Sequence, residues 1–461
     1  MYYTKILYLG LLLFSSFVFY SCDDDNTSDV PKAVQDINAF VHQNMNTYYY
    51  WEAEMPNINY RFEPNTFDYF EKLRHTPDDR WSFITDDHQG LKDMLSGIHK
   101  STGYEFSLFY RDEKTSNDVV GFIAYVEPNS PADYAGLKRG DMFYKIDNIK
   151  LNDSNYMDYV FREAFKLTLG TLNTDLSVTE RSPSVNIMAV ELQSNPILVS
   201  KVIDYAGSKI GYLAYTSFLD DFNDQLEAEF AKFKSAGVNG LVLDLRYNSG
   251  GAVSSALLLC NMIAPAHTIG EVLLHNTFNT QLTKALKEEW GEGFNVDHIQ
   301  ANANNLNLDE LVVLTGRNTA SASEMIIYGL QPHMNVYQIG EATHGKYYAS
   351  ITLSDPDNNH NWAIQPIVMR AENKDNSIDY SSGLEPDVAR VDFIGAFNSA
   401  DIYPLGDINE DYLALAIEHI TGQSPLPSGL KSSTLKTLRP LSIHNKHLHP
   451  LHYDMQYNLK K

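Results

Sequence analysis

Short, unbroken apolar runs separated by amphipathic stretches fill the second half of the chain, and this alternation constrains the fold most. Leu241-Val242-Leu243-Asp244-Leu245, Leu311-Val312-Val313-Leu314 and Val336-Tyr337-Gln338-Ile339 read as strands buried on both faces. Residues 209–215 add a strand ahead of them, and residues 221–236, 254–264 and 321–330 read as helices. Strands of this kind need helical layers over them, so residues 197–423 are expected to form an α/β layered domain. A chain of 461 residues with 43 % apolar and 20 % charged residues has room for further domains and is not disordered. Its net charge of −24 argues against a nucleic-acid partner, which needs a basic footprint.

Two smaller units are expected upstream. Residues 32–98 read as helical: Ile37, Phe40, Val41 and Met45 fall on one face, and Phe67, Phe70 and Leu73 form a second apolar set before the turn at Thr76-Pro77-Asp78-Asp79. Residues 99–196 change to strands and turns. The β-rich run Val119–Val126 is followed by Ser130-Pro131-Ala132, Ala135-Gly136-Leu137 and Gly140-Asp141-Met142-Phe143, a layout of strand, short helix, tight turn and strand. From 424 to 461 the chain is polar and basic, with six Lys or Arg against one Asp, and reads as an incidental flexible tail. A transition metal held by its His444, His447, His449 and His452 is the alternative to that reading.

The first residues stand apart from the fold. The apolar run 6–20 is shorter than the roughly 20 residues a membrane-spanning helix needs, and it fits the apolar core of a secretory signal. Ser21-Cys22 at its end resembles a bacterial lipobox, which implies a signal peptide over 1–21, lipidation at Cys22 and an acidic tether over 22–31. An ordinary signal peptide with an incidental Cys22 is the alternative. The other cysteine, Cys260, lies in an apolar helix and reads as a small buried hydrophobe. Two cysteines cannot make a disulfide framework or a four-cysteine zinc site.

Chemistry concentrates in three strings, each following a buried strand. Asp244-Leu245-Arg246-Tyr247-Asn248-Ser249-Gly250-Gly251 ends in glycines that let backbone N–H groups turn outward, as a developing oxyanion requires. It has neither a Walker lysine nor dinucleotide spacing. Thr319-Ala320-Ser321-Ala322-Ser323-Glu324 opens a helix, and taken alone Ser321-x-x-Glu324 is a capping box that needs no catalysis to explain it. Gly340-Glu341-Ala342-Thr343-His344-Gly345-Lys346 is the third, and a lone lysine after glycine is ordinarily a solvated surface charge.

Together the three resemble the S41, or C-terminal processing (tail-specific), peptidases, whose members carry D-L-R-x-N-x-G-G, S-A-S-A-S-E and G-x-x-T-x-G-K in that order. Gly383-Leu384-Glu385-Pro386-Asp387 is similar to a fourth family string, and the segment 99–196 resembles a PDZ domain, which binds a chain terminus by adding it to a sheet edge. The resemblance implies a crotonase/ClpP-like layered α/β catalytic domain with a PDZ-like β domain and a small N-terminal helical domain. It also implies Ser321 as nucleophile, with Ser323 as the competitor, and Lys346 as general base. Ala322 and Gly250 or Gly251 would be the oxyanion donors. A lysine serves as base only when neutral, which means a pKa lowered from ~10.4 toward ~7, about 4.6 kcal/mol and within reach of burial.

The chain departs from the family in two places. Ser350 stands four residues after the lysine, where many members have glutamine, and Pro332 stands eleven after the serine, where some have aspartate. Ser350 is therefore the expected third residue. Asp355-x-Asp357-x-Asn359 begins like a calcium loop, but His360 and Pro366 break the pattern and a hairpin turn is expected. The reading is a secreted, lipid-anchored serine endopeptidase of the cell envelope that acts on proteins or peptides without metal or organic cofactor. Two other readings share the scaffold: a binding protein, since retinoid-binding proteins resemble these peptidases, and a PDZ scaffold with an impaired peptidase domain.

Overall fold

The computed structural model describes residues 28–111, 117–173, 175–375, 380–393, 402–426, 438–444 and 455–456. The run 6–20, Cys22 and His447, His449 and His452 lie outside the described residues. The alternating half of the chain forms a six-stranded sheet in the order Ile197–Tyr205, Ser208–Tyr215, Gly240–Asp244, Glu310–Thr315, Asn335–Gly340, Val388–Ala389. The first two strands pair antiparallel and the rest parallel. Helices Asn223–Ala236, Val253–Ile263 and Ala322–Leu330 pack over it through Phe230, Phe233, Leu259 and Ile326. Helix Asp411–Thr421 covers the other face through Tyr412, Leu413 and Ile417. Because both faces are covered, the central strands carry no polar alternation, and Cys260 is a fully buried part of this core.

A second sheet stands beside the first, in the order Gly251–Ala252, Met455–Gln456, Tyr348–Ser350, Ile367–Asn373, Val272–Phe278, Val296–His298. Upstream, strands Tyr104–Tyr110, Val119–Val126, Met142–Ile146 and Ala164–Leu172 form the β domain, with Pro131–Tyr134 as its short helix. The N-terminal unit contains helices Lys32–Tyr48, Thr66–Leu73 and His88–Leu95. Val41, Met45, Phe70 and Leu73 are buried as their spacing predicts, but Phe67 is 42 % exposed and lies against Trp362 rather than in the core. Asp355–Asn359 is a turn between strands Leu353–Ser354 and Ala363–Gln365, as expected.

The tail corrects one expectation. Far from being incidental, Arg439–His444 runs antiparallel along Tyr104–Tyr110, and Met455–Gln456 enters the second sheet. Backbone pairing needs no apolar periodicity, so a polar sequence gave no sign of it.

Arg246 ties the strand end to the covering helix. Its Nε and Nη2 donate to Asp244 at 2.9 and 2.6 Å, and its Nη1 donates to Glu410 at 2.8 Å, all buried. Arg139 of the β domain reaches the same Glu410 at 3.1 Å. Removing one member of a buried ionic network leaves the others desolvated without compensation, so Arg246→Ala is expected to lower stability by about 3–5 kcal/mol. Chemical denaturation checks this, and a loss under about 1 kcal/mol would refute the assignment.

Candidate active site

All three sequence strings lie at the carboxyl ends of neighbouring parallel strands, where open α/β sheets place their ligands. Asn248 connects the first string to the second. Its backbone carbonyl accepts from Ala320 N–H at 3.3 Å and from Ser323 Oγ at 3.1 Å, and its side-chain oxygen accepts from Gly250 N–H at 2.9 Å. Ser323 is thus turned back into the turn as a structural hydroxyl.

Ser321 is different. It occupies the tight junction between Glu310–Thr315 and helix Ala322–Leu330 with φ 64° and ψ −118°. A non-glycine residue there carries strain of order 1–3 kcal/mol, and such strain gathers at functional sites. Its Oγ is buried and makes no close hydrogen bond, although it faces the first turn of the helix in a capping-box arrangement with Glu324. The oxygen stands at the positive end of a nine-residue helix, on the capping box that Ser321 and Glu324 form as their spacing predicts.

Glu324 explains how that turn is held, and it joins two strings the sequence left separate. Its Oε2 accepts from the backbone N–H of Ser321 at 2.7 Å and of Lys346 at 2.9 Å, so those two nitrogens lie no farther apart than the two bonds together allow. Its Oε1 accepts from Gly345 N–H and Thr343 Oγ1, both at 2.6 Å. Burial pushes the Glu324 carboxyl up to about 7, and the four donors pull in the opposite direction because they favour the carboxylate. The fourth string completes the clamp: Leu384 N–H donates to Thr343 Oγ1 at 2.7 Å, and Thr343 N–H donates to Leu384 O at 3.1 Å. Gly345 must be glycine, since a Cβ at its φ of 89° would stand 2.4 Å from Ser381 O.

Lys346 is no solvated surface charge. It is 2 % exposed, and its Nζ lies 6.0 Å from the centre of the Trp81 ring, which comes from the N-terminal unit and also packs on Tyr348. Ser350 ends the strand Tyr348–Ser350, buried, and its Oγ accepts from Gln365 Nε2 at 3.1 Å. Gln365 lies on Ala363–Gln365 and is itself 1 % exposed. A glutamine thus enters this corner from a different strand than the family string would place it. Trp81, Gln365 and the clamping role of Glu324 were missed by sequence reasoning; only Ser321-x-x-Glu324 gave a local signal.

Among the oxyanion candidates, Ala322 is the first residue of the helix. The Gly250 N–H is committed to Asn248, and Gly251 pairs with Met455 in the second sheet. Gly251 has φ 135°, and any Cβ there would meet Phe218 O at 2.2 Å. A cleft of about 300 Å³ opens beside both glycines, lined also by Leu95, Phe218 and Asp220. Among the described residues no group of His, Cys, Asp or Glu is placed to hold a metal, and no helix is long and apolar enough to cross a membrane.

Residues 209–390 match the model of peptidase family S41, residues 36–83 that of the peptidase S41 N-terminal domain, and residues 122–161 that of a PDZ domain. The carboxy-terminal processing protease CtpA of Bacillus subtilis (strain 168) is 25 % identical over 316 residues, 64 % of this chain and 60 % of the relative. A carboxyl-terminal-processing protease of Picosynechococcus sp. (strain ATCC 27264 / PCC 7002 / PR-6) is 26 % identical over 275 residues, 59 % of this chain and 60 % of the relative. The chain thus spans about 60 % of the length of these curated relatives. A crystal structure from Bacteroides fragilis NCTC 9343, named for an S41 protease, superposes with a TM-score of 0.69 at 25 % identity, covering 87 % of this chain and 99 % of that one.

Proposed function

Because the chain belongs to the S41 peptidase family, with an S41 N-terminal domain and a PDZ domain ahead of its peptidase domain, we propose that it is a serine endopeptidase built on a Ser321–Lys346 dyad. The observation that carries this reading is the Glu324 carboxylate, which draws the strained serine turn and the buried lysine loop onto one oxygen. In this reading Ser321 Oγ attacks a peptide carbonyl as Lys346 Nζ takes its proton. The carbonyl oxygen becomes an oxyanion facing the N–H groups of Ala322 and Gly251. Lys346 then returns the proton to the leaving amine, and water hydrolyses the ester formed on Ser321. Lys346 is 2 % exposed, and the step needs its amine neutral.

The third position belongs to Ser350 and Gln365 acting together, the amide of Gln365 fixing the Ser350 hydroxyl. The PDZ domain receives the chain ends of protein or peptide substrates, and the domain limits 32–98, 99–196 and 197–423 are assigned on this reading. The apolar run 6–20 with Ser21-Cys22 supports export to the cell envelope with a lipid anchor on Cys22. An unlabelled casein digest followed by mass spectrometry tests the activity: the chain releases peptides, and Ser321→Ala releases none above a blank. Equal release by Ser321→Ala would remove the nucleophile from the reading.

A further inference from the structure

Two strands from the C-terminal part of the chain pair beside the proposed site and on the edge of the β domain. Met455–Gln456 lies between Gly251–Ala252 and Tyr348–Ser350 and runs parallel to both, with Met455 opposite Gly251 and Gln456 opposite Ala252 and Ser350. One edge of this slot is the glycine proposed to face the oxyanion, and the other is the residue four beyond Lys346. A strand held there is held as an extended substrate would be, by its backbone.

The second contact is on the β domain. Arg439–His444 adds to Tyr104–Tyr110 antiparallel, with Arg439 opposite Tyr110 and Pro440 opposite Phe109. Leu441 is 8 % exposed in the apolar cluster that contains Phe106, Leu108 and, from the helix Tyr156–Val160, Tyr156 and Val160. A strand paired on a sheet edge, with an apolar side chain buried in the core of that domain, has the form of peptide capture by strand addition.

We propose that the strands Arg439–His444 and Met455–Gln456 act as an internal ligand, the second of them occupying a substrate-strand slot in cis, so that an outside peptide pairs there only when these strands leave. The inference rests on the assignment of Ser321 and Lys346 as the reacting pair. A tethered segment competes at an effective concentration in the millimolar range, so an added peptide binds the intact chain weakly even where the slot itself suits it.

The test uses the full chain carrying Ser321→Ala, so that nothing is cleaved, and a fluorescein-labelled synthetic peptide of residues 438–461 as probe. Met455→Pro removes a backbone donor in the slot, and Leu441→Asp removes the apolar anchor on the β domain. Fluorescence anisotropy is expected to give at least a tenfold tighter Kd for the double variant than for the chain with its native tail. Met455→Pro alone is expected to show part of that gain, and it keeps the test open should Leu441→Asp disturb folding. Equal Kd values in all three proteins, or no binding to any, would overturn the proposal. Failure of the peptidase reading shows up separately, as hydrolysis that survives Ser321→Ala in the otherwise native chain.

Discussion

Lys346→Arg is expected to abolish peptide hydrolysis as completely as Lys346→Ala, with kcat lowered at least ~1,000-fold in both. Lys346 is buried at 2 % exposure, its backbone N–H is fixed on Glu324, and its amine lies over Trp81. If the amine accepts the Ser321 proton it must first be neutral, a state open to lysine and closed to a guanidinium, which stays protonated. If it acted only as a fixed positive charge, arginine would retain part of the activity. Steady-state kinetics on one peptide, with folding checked by circular dichroism, decide between the two. Activity of Lys346→Arg within about tenfold of the native chain would reject proton transfer.

Glu324→Ala should be the most damaging substitution at a residue that never touches substrate. It deprives the N–H groups of Ser321, Gly345 and Lys346 and the Thr343 hydroxyl of their buried acceptor. The expected cost is about 3 kcal/mol or more in stability, with kcat falling at least ~100-fold while KM changes little. Glu324→Gln should fall between, because its amide oxygen can keep the bonds to Ser321 and Lys346. Its NH2 can donate to Thr343 but then opposes the Gly345 N–H. A purely structural role would move stability in both variants and leave kcat of the folded fraction intact.

The same residue carries a pH signature. Burial lifts the Glu324 carboxyl from 4.5 to about 7, so the folded chain binds this proton more tightly than the unfolded chain does. Its contribution to stability is therefore complete below about 4.5 and is lost as pH rises through about 7, and Glu324→Gln should flatten that part of the stability curve.

What was legible in the sequence follows from range. The strands Gly240–Asp244, Glu310–Thr315 and Asn335–Gly340 announce themselves because burial on both faces leaves an unbroken apolar run. The strings that follow them are local, and so are the turn glycines. The role of Glu324 was hidden because Ser321-x-x-Glu324 already satisfies a local rule, while Thr343, Gly345 and Lys346 reach it from about twenty residues away. Gln365 meets Ser350 only through the pairing of strands in the finished sheet. Trp81 belongs to another unit altogether. The tail strands use backbone groups, which every sequence has, so their pairing left no mark in residue type.

The central claim is that the Ser321 hydroxyl is a nucleophile made reactive by Lys346. Labelling with a fluorophosphonate probe, followed by peptide mass spectrometry, measures this directly. The account predicts one adduct, on Ser321, formed at least ~1,000-fold more slowly in Lys346→Ala. An adduct on Ser323, or labelling of Ser321 at the same rate without the lysine, would contradict it.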